Sequence, residues 1–486
     1  MLIMSKEEQN EKNSILKTMY EIVKDNSYIY KDMSNTFYCK PFENVLINID
    51  SEEFLTWCLS ICRKKGDIFP TKENVKNLRF HLKDSEETVC LDYYISKRCA
   101  YHNDTIYIDL ANDKNEIIEI NKTGSNVIRK TPEPYFKRCA NMLPMAKPDF
   151  NIASSELLKL IDQSFVVTHE QKILLAVWLV LSFVPCIQIP ILMITGAKGS
   201  SKTTMTRFIR KIVDDNVNRT AIMPSNERDL AILMNNYYLL TFDNISDGDI
   251  KGRLSDLIST SITQSTSYTT RQLYSDSSIV SMQLNNRLIL NGISHTLLKK
   301  SDALDRTIIF NLNRIPVDRM VSIKKLDDTL TRRTPLFLGT ICNALVDMLK
   351  SIDDVEVENI SRMSDFARYG YCVAGALGIS GEYFLEIYKK NIHAINDLLL
   401  HDDVIGDLIL NIMEDRKLLQ ESVSELYNRV IETAKQIGVN PRELPGSPSH
   451  FSTKLLELKS NLSEYGLKIS KKNKGTHKEI TIVKVK

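Results

Sequence analysis

The run ILMITGAKGSSKTT, residues 191–204, confines the fold of this chain more tightly than any other stretch. An apolar segment leads directly into a glycine-containing turn. The turn leads into a helix marked by Thr203-Thr204 and by Met205, Phe208, Ile209 and Ile212 at helical spacing. The pattern Gly, four residues, Gly, Lys, then Ser or Thr aims consecutive backbone N–H groups and a helix N-terminus at phosphate oxygens. Gly196, Gly199, Lys202 and Thr203 stand in register, while Ser201 replaces the second consensus glycine. Glycine serves where torsion or close approach excludes a Cβ, and a hydroxymethyl group is the mildest departure from it. Lys202 is expected to bridge the outer phosphates and Thr203 to bind Mg²⁺. The candidate ATP-binding residues are therefore Gly196, Ala197, Lys198, Gly199, Ser200, Ser201, Lys202, Thr203 and Thr204.

Further polar residues end or precede apolar runs downstream. YYLLTFDN delivers Asp243 at the C-terminal end of a strand, where ligands bind in open α/β sheets and a carboxylate can hold Mg²⁺ through water. Asn244 follows it where many ATPases place a water-activating Glu, so the hydrolytic base stays unassigned, with Asp247 and Asp276 as guesses. NNRLILNG ends in Asn291, placed to orient an attacking water, and SDALDRTIIFNL sets Arg306 just before another strand. An arginine there suits a finger offered to a neighbouring subunit's nucleotide. Lys202, Asp243, Asn291 and Arg306 are the candidate catalytic set, and Thr203 and Asp243 the candidate metal ligands. Near-continuous apolar runs at Ile189–Ile194, Tyr238–Phe242, Arg287–Leu290 and Thr307–Leu312, alternating with helices, predict an α/β core around a parallel sheet.

A length of 486 residues suggests about three domains. Net charge is only +2, so any basic surface must be local. The nine cysteines are scattered singly and read as reduced core residues of a cytoplasmic protein; neither they nor the His offer zinc spacing. The N-terminus turns polar at once, unlike a signal peptide. The apolar stretch 173–194 is broken by Pro185, Gln188 and Pro190, which predicts a buried helix and strand and no membrane span. Residues 1–80 look mainly helical. From Thr88 to about Val127 a period-two pattern, broken at 102–104, 112–115 and 123–124, predicts a small antiparallel module. Leu143–Phe150 reads as a proline-disrupted linker, and the chain after Pro335 reads as helical to about 410.

In the last stretch, two amphipathic helices precede a strand, turn and strand. The second helix keeps Thr453 and Lys454 off its apolar face, as a recognition helix would. Residues 468–486 hold seven Lys and one Glu, so Lys471, Lys472 and Lys474 suit phosphate contacts from a β-wing on duplex DNA. Upstream, SYTTRQLYSDSSIVSMQLNN alternates as a hairpin turning at Ser275–Ser278. Arg271 is its nearby cation, and Tyr268 and Tyr274 are candidates to stack bases.

WLV (Trp178–Val180), PILMITGAKGSSKTT, LTFDNIS (Leu240–Ser246), TRQLYSD (Thr270–Asp276), LILNGIS (Leu288–Ser294), LDR (Leu304–Arg306) and MSDFARYG (Met363–Gly370) stand in order. Together with YIDL at 107–110 and the winged-helix-like end, they resemble AAA+ ATPases of the superfamily 3/MCM-like helicase kind, carried by phages and mobile elements. The nearest are replication initiators of staphylococcal cassette elements and pathogenicity islands. The resemblance implies Walker A at Gly196–Thr203, Walker B at Asp243, sensor 1 at Asn291, an arginine finger at Arg306, and a pore hairpin on single-stranded DNA. It implies an N-terminal α+β region (1–148), an AAA+ P-loop ATPase core (149–320), a helical lid (321–410) and a C-terminal winged helix (411–486). The expected function is a hexameric ATP-dependent DNA helicase that initiates replication of a mobile element, with 3′ to 5′ travel as the family suggests. Two alternatives stand beside it. An ATP-dependent DNA-binding switch without unwinding is favoured by Asn244 and the acidic hairpin tip. A small-molecule kinase is disfavoured, since no lid arginine cluster or acceptor-site motif follows the loop.

Overall fold

The structure is a computed structural model of the chain. It describes every residue except 1–5, 42–44, 132, 134, 140, 247, 263–265, 272–278, 294–296, 299–300, 315–322, 358–361, 403, 441–442, 475–476 and 486.

The core is a four-stranded parallel sheet in the order Leu239–Ile245, Arg287–Gly292, Ile191–Gly196, Thr307–Leu312. Strand Ile191–Gly196 is buried at every position because both faces are covered. Leu192 and Ile194 pack with helices His169–Leu181, Lys202–Val213 and Ile323–Ser351. Ile191 and Met193 pack with helices Glu227–Asn236 and Arg253–Ser261. The expected strands are present, the first beginning two residues later than its pattern suggested and the second running on to Ile245.

The stretch 173–194 resolves as expected into helix His169–Leu181, opened by a Thr168/Gln171 capping box, and the loop-bearing strand. Trp178 lies between them, donating its indole N–H to the Pro190 carbonyl at 2.8 Å. The helix long and apolar enough to cross a membrane is 324–354, by length and composition only, and 67% of its apolar window is buried. Pro335 sits inside helix Ile323–Ser351, which begins twelve residues ahead of it, so the proline does not start the helical region as its sequence suggested. The Pro335 carbonyl accepts the Asp149 N–H at 2.9 Å. The supposed linker is likewise fastened, with Leu143 and Met145 N–H groups donating to Asp215 and Leu110 carbonyls.

Ahead of the core, Cys99–His102, Thr105–Asp109, Ile117–Asn121 and Gly124–Ile128 form the anticipated antiparallel meander. Asn103 and Asp104 both take positive φ in its first turn, as a tight hairpin demands. Residues 1–80 are less helical than expected. Strands Ser27–Lys31, Phe37–Pro41 and Ile47–Asn48 form a second sheet, to which Val89–Cys90 adds in parallel. Of the cysteines, Cys90 is exposed, against the expectation of a core role.

Meander and core meet at a buried ion pair. Arg98 donates to the Asp214 carboxylate and to the carbonyls of Asp109 and Asp215, while Asp214 also accepts the Leu239 N–H at 3.2 Å. Side-chain exposures are 0% for Arg98 and 2% for Asp214. At the other end of the chain, helix Val404–Met413, strand Leu418–Ser422, helices Val423–Gln436 and Pro448–Glu457, and strands Leu467–Lys474 and His477–Lys484 share one core from Ile405 to Ile482.

Candidate functional site

The site lies at the C-terminal end of the parallel sheet, in a cavity of about 940 Å³. Its floor is the loop between strand Ile191–Gly196 and helix Lys202–Val213. A Cβ on Gly196 would stand 2.3 Å from the Leu312 carbonyl oxygen, and φ is +143°, so glycine is required there. Ser201 adopts φ 59° and ψ 26°, the left-handed region for which the consensus uses glycine. An L-residue there costs about 1–2 kcal/mol. Ser201→Gly is therefore expected to raise stability by about 0.5–1 kcal/mol, after the entropy glycine gains in the unfolded chain is subtracted. A lowered unfolding midpoint would show instead that the hydroxymethyl group stabilises the loop.

Lys202 Nζ donates to the Gly196 and Ala197 carbonyls at 2.7 and 3.1 Å. Partial burial pulls its ammonium below the usual lysine range, opposed by the Asp243 charge. Thr203 Oγ1 donates to Asp243 Oδ1 at 3.2 Å, so the two candidate metal ligands meet across neighbouring elements. Asp243 reaches that point from an irregular stretch: the pairing of its strand with Arg287–Gly292 slips between Phe242 and Ile245, and Asn244 takes φ 57°. Such a bulge re-aims a side chain out of the ladder. A hydroxyl and a carboxylate at hydrogen-bond distance, open to a cavity, fit Mg²⁺, which binds through few protein oxygens and keeps its waters.

Asn291 ends the strand between the loop strand and the Asp243 strand and lines the same cavity. It is 1% exposed, yet neither end of its amide has a protein partner, and the buried Ser200 Oγ has none either. An unpaired buried polar group costs about 1–3 kcal/mol, which suits a group kept for a ligand. Arg306 lies elsewhere. It precedes Thr307, which pairs with Ile191 at the opposite edge of the sheet, and donates to the Ser259 carbonyl at 3.1 Å.

The sequence reading assigned nothing to the remaining wall. Lys325, Thr329 and Arg333 of helix Ile323–Ser351 line the cavity together with Gln163–Val166. Arg333 Nη1 donates to the Gln163 carbonyl at 2.5 Å and to Ser164 Oγ at 2.9 Å. Arg314 flanks Gly199, its Nε 3.7 Å from where a Cβ would stand. The adjacent pair Arg332-Arg333, close to Pro335, was the available signal.

Of the candidate DNA contacts, Arg271 closes strand Thr266–Arg271, paired antiparallel with Ile279–Leu284. Tyr274, Asp276 and the tip at 275–278 lie outside the described residues, as does Asp247. Tyr268 is half-buried and packs against the core. Thr453 is exposed and Lys454 half-buried on helix Pro448–Glu457. Lys472 is exposed. Lys471 is half-buried, its ammonium 2.6 Å from Ser452 Oγ, which ties strand Leu467–Lys474 to that helix. The side chain of Lys474 lies outside the described residues.

Residues 155–398, half of the chain, match the family of actinomycete integrative conjugative element replication proteins, and residues 405–486 match the AICE RepA C-terminal domain. No curated protein matches. Among similar solved structures is the apo C-terminal region of NrS-1, at 10% identity and TM-score 0.43, covering 96% of this chain and 99% of that one. Another is the SCCmec type IV Cch active helicase, at 12% identity and TM-score 0.48, covering 94% and 92%.

Proposed function

This chain belongs to the family of actinomycete integrative conjugative element replication proteins, and on that premise we propose that it is an ATP-driven DNA helicase that starts replication of a mobile element. The observation that carries the reading is the meeting of Thr203 and Asp243 beneath Asn291, beside Lys202, in one cavity. The loop amides and the N-terminus of helix Lys202–Val213 hold the phosphates. Lys202, by rotation off the loop carbonyls, reaches their outer oxygens. Mg²⁺ held by Thr203 and Asp243 would neutralise charge on the transferring phosphoryl group. Asn291 offers a donor and an acceptor to align the attacking water. Arg306 serves the nucleotide of the next subunit in a homo-hexameric ring, and the 266–284 hairpin follows single-stranded DNA through its centre. A DNA-stimulated ATPase assay coupled to fork unwinding tests the whole: turnover without unwinding points to the switch protein.

One observation favours that second reading. Among the described cavity residues the only carboxylates are Asp243 and Asp162, and Asp162 is paired with Lys172 at 2.7 Å. Among the described cavity residues there is no Glu to act as a base.

We further read residues 404–486 as a winged helix on duplex DNA, with Thr453 and Lys454 towards bases and Lys472 towards phosphates. Removing 404–486 is expected to leave basal ATP turnover within about twofold and to abolish tight binding of duplex origin DNA. Lys472→Gln alone should lower the salt slope of duplex binding by about 0.9. A truncated chain that holds origin duplex as tightly as the full one would leave this unit without its role.

A further inference from the structure

The N-terminal helices carry a face that the nucleotide site does not use. Helix Lys72–Lys83 buries Val75, Leu78 and Leu82 against helices Lys6–Asn26 and Glu52–Gly66. Off that stripe, Lys72, Lys76 and Phe80 recur at spacings of four and share one side of the helix, with Phe69 just ahead of it. At 1.5 Å per residue, Lys72 and Phe80 stand about 12 Å apart along the axis. Phe69 and Phe80 are 75% and 67% exposed, although burying such a ring is worth about 1.5–3 kcal/mol.

Cations also gather around Phe69. Helix Glu52–Gly66 ends in Arg63, Lys64 and Lys65, and the Arg63 guanidinium lies 5.7 Å from the centre of the Phe69 ring. Residues 63–83 contain seven Lys or Arg and two acidic residues, in a chain whose net charge is +2. Lys83 is paired with Asp50, and Arg79 turns inward to the Ser51 carbonyl. Among the described residues, Lys64, Lys65, Lys72 and Lys76 form no ion pair or side-chain hydrogen bond.

We propose that this face binds single-stranded DNA, with bases stacked on Phe69 and Phe80 and phosphates on Lys64, Lys65, Lys72 and Lys76. Unpaired cations complement a polyphosphate chain, and a single strand, unlike a duplex, offers the base faces that exposed rings stack against. The choice of DNA as partner rests on the helicase reading, but the face needs no nucleotide to act.

Fluorescence anisotropy of labelled oligo-dT with the full chain, without ATP, tests it. Phe69→Ala with Phe80→Ala is expected to weaken binding at least tenfold, from stacking energies of about 1–3 kcal/mol per base. Lys72→Gln with Lys76→Gln should reduce the salt slope by about 0.7 per lysine. Basal ATP turnover and the unfolding midpoint should stay unchanged in both. Unaltered oligo-dT affinity in both variants overturns the proposal. So does an equal loss on duplex of the same length, which would reduce the face to phosphate attraction. Loss of phosphatidylserine vesicle binding with oligo-dT binding kept would mark a membrane face, and a changed sedimentation coefficient a contact between copies. Lys202→Ala separates the two readings: full turnover in that variant removes the ATPase assignment and leaves the oligo-dT result standing.

Discussion

Lys202→Ala is expected to bring ATP turnover to background, a loss of at least about 10²–10³-fold, with a stability change within about 0.5 kcal/mol. The lysine ammonium is a point charge on a surface loop, and its partners in the structure are the Gly196 and Ala197 carbonyls, which solvent can satisfy. Phosphate release with the purified variant, beside its thermal unfolding, measures both parts. Turnover at the unsubstituted rate would end the phosphate-loop assignment.

Arg306→Ala is expected to keep nucleotide affinity and to lose on the order of 10³-fold in hydrolysis. The sheet register gives the reason. Thr307 pairs with Ile191 and Leu312 with Gly196, so Arg306 stands six residues from the loop end of the sheet, roughly 20 Å at 3.3 Å per residue. It cannot touch the nucleotide of its own chain. A role in hydrolysis therefore requires a neighbour, and mixtures of Arg306→Ala with Lys202→Ala should regain activity where an intact loop meets an intact arginine. Dead mixtures alongside normal assembly remove the trans role, and full activity of Arg306→Ala alone removes any role.

What could be read from the sequence follows from how each signal arises. The core strands stand out because cover on both faces makes their runs almost continuously apolar, as in ILMI and RLILNG. The phosphate loop is legible because its geometry is backbone geometry, and even the Ser201 departure marked the position with a left-handed torsion. The far wall of the cavity was not legible. Lys325 and Arg333 sit on a helix that continues through Pro335, and proline ordinarily signals a boundary. Strand Leu418–Ser422 was missed because LLQES is short, with only Leu419 buried. Strand Ser27–Lys31 was missed because it is short and directly follows helix Lys6–Asn26. The resemblance pointed to staphylococcal elements, and the family shown is the actinomycete one.

The Arg98–Asp214 pair bears on how such chains can be rearranged during descent. Asp214 is held by Arg98 from one side and the Leu239 amide from the other, with the Arg210 guanidinium 3.8 Å away. A recombinant that joined a foreign leader at residue 155, where the family match begins, would leave that carboxylate with the more distant Arg210 as its one buried cation among the described residues. Losing one member of a buried pair costs up to about 3–5 kcal/mol, less where a second cation remains, and either is a large share of what a typical domain has in hand. Crossovers that preserve the fold are then expected upstream of Arg98, or with an arginine imported at the same depth. Small as it is, the meander is then expected to travel with the parallel sheet, and the more exchangeable part of the chain is the helix-and-sheet segment in front of it.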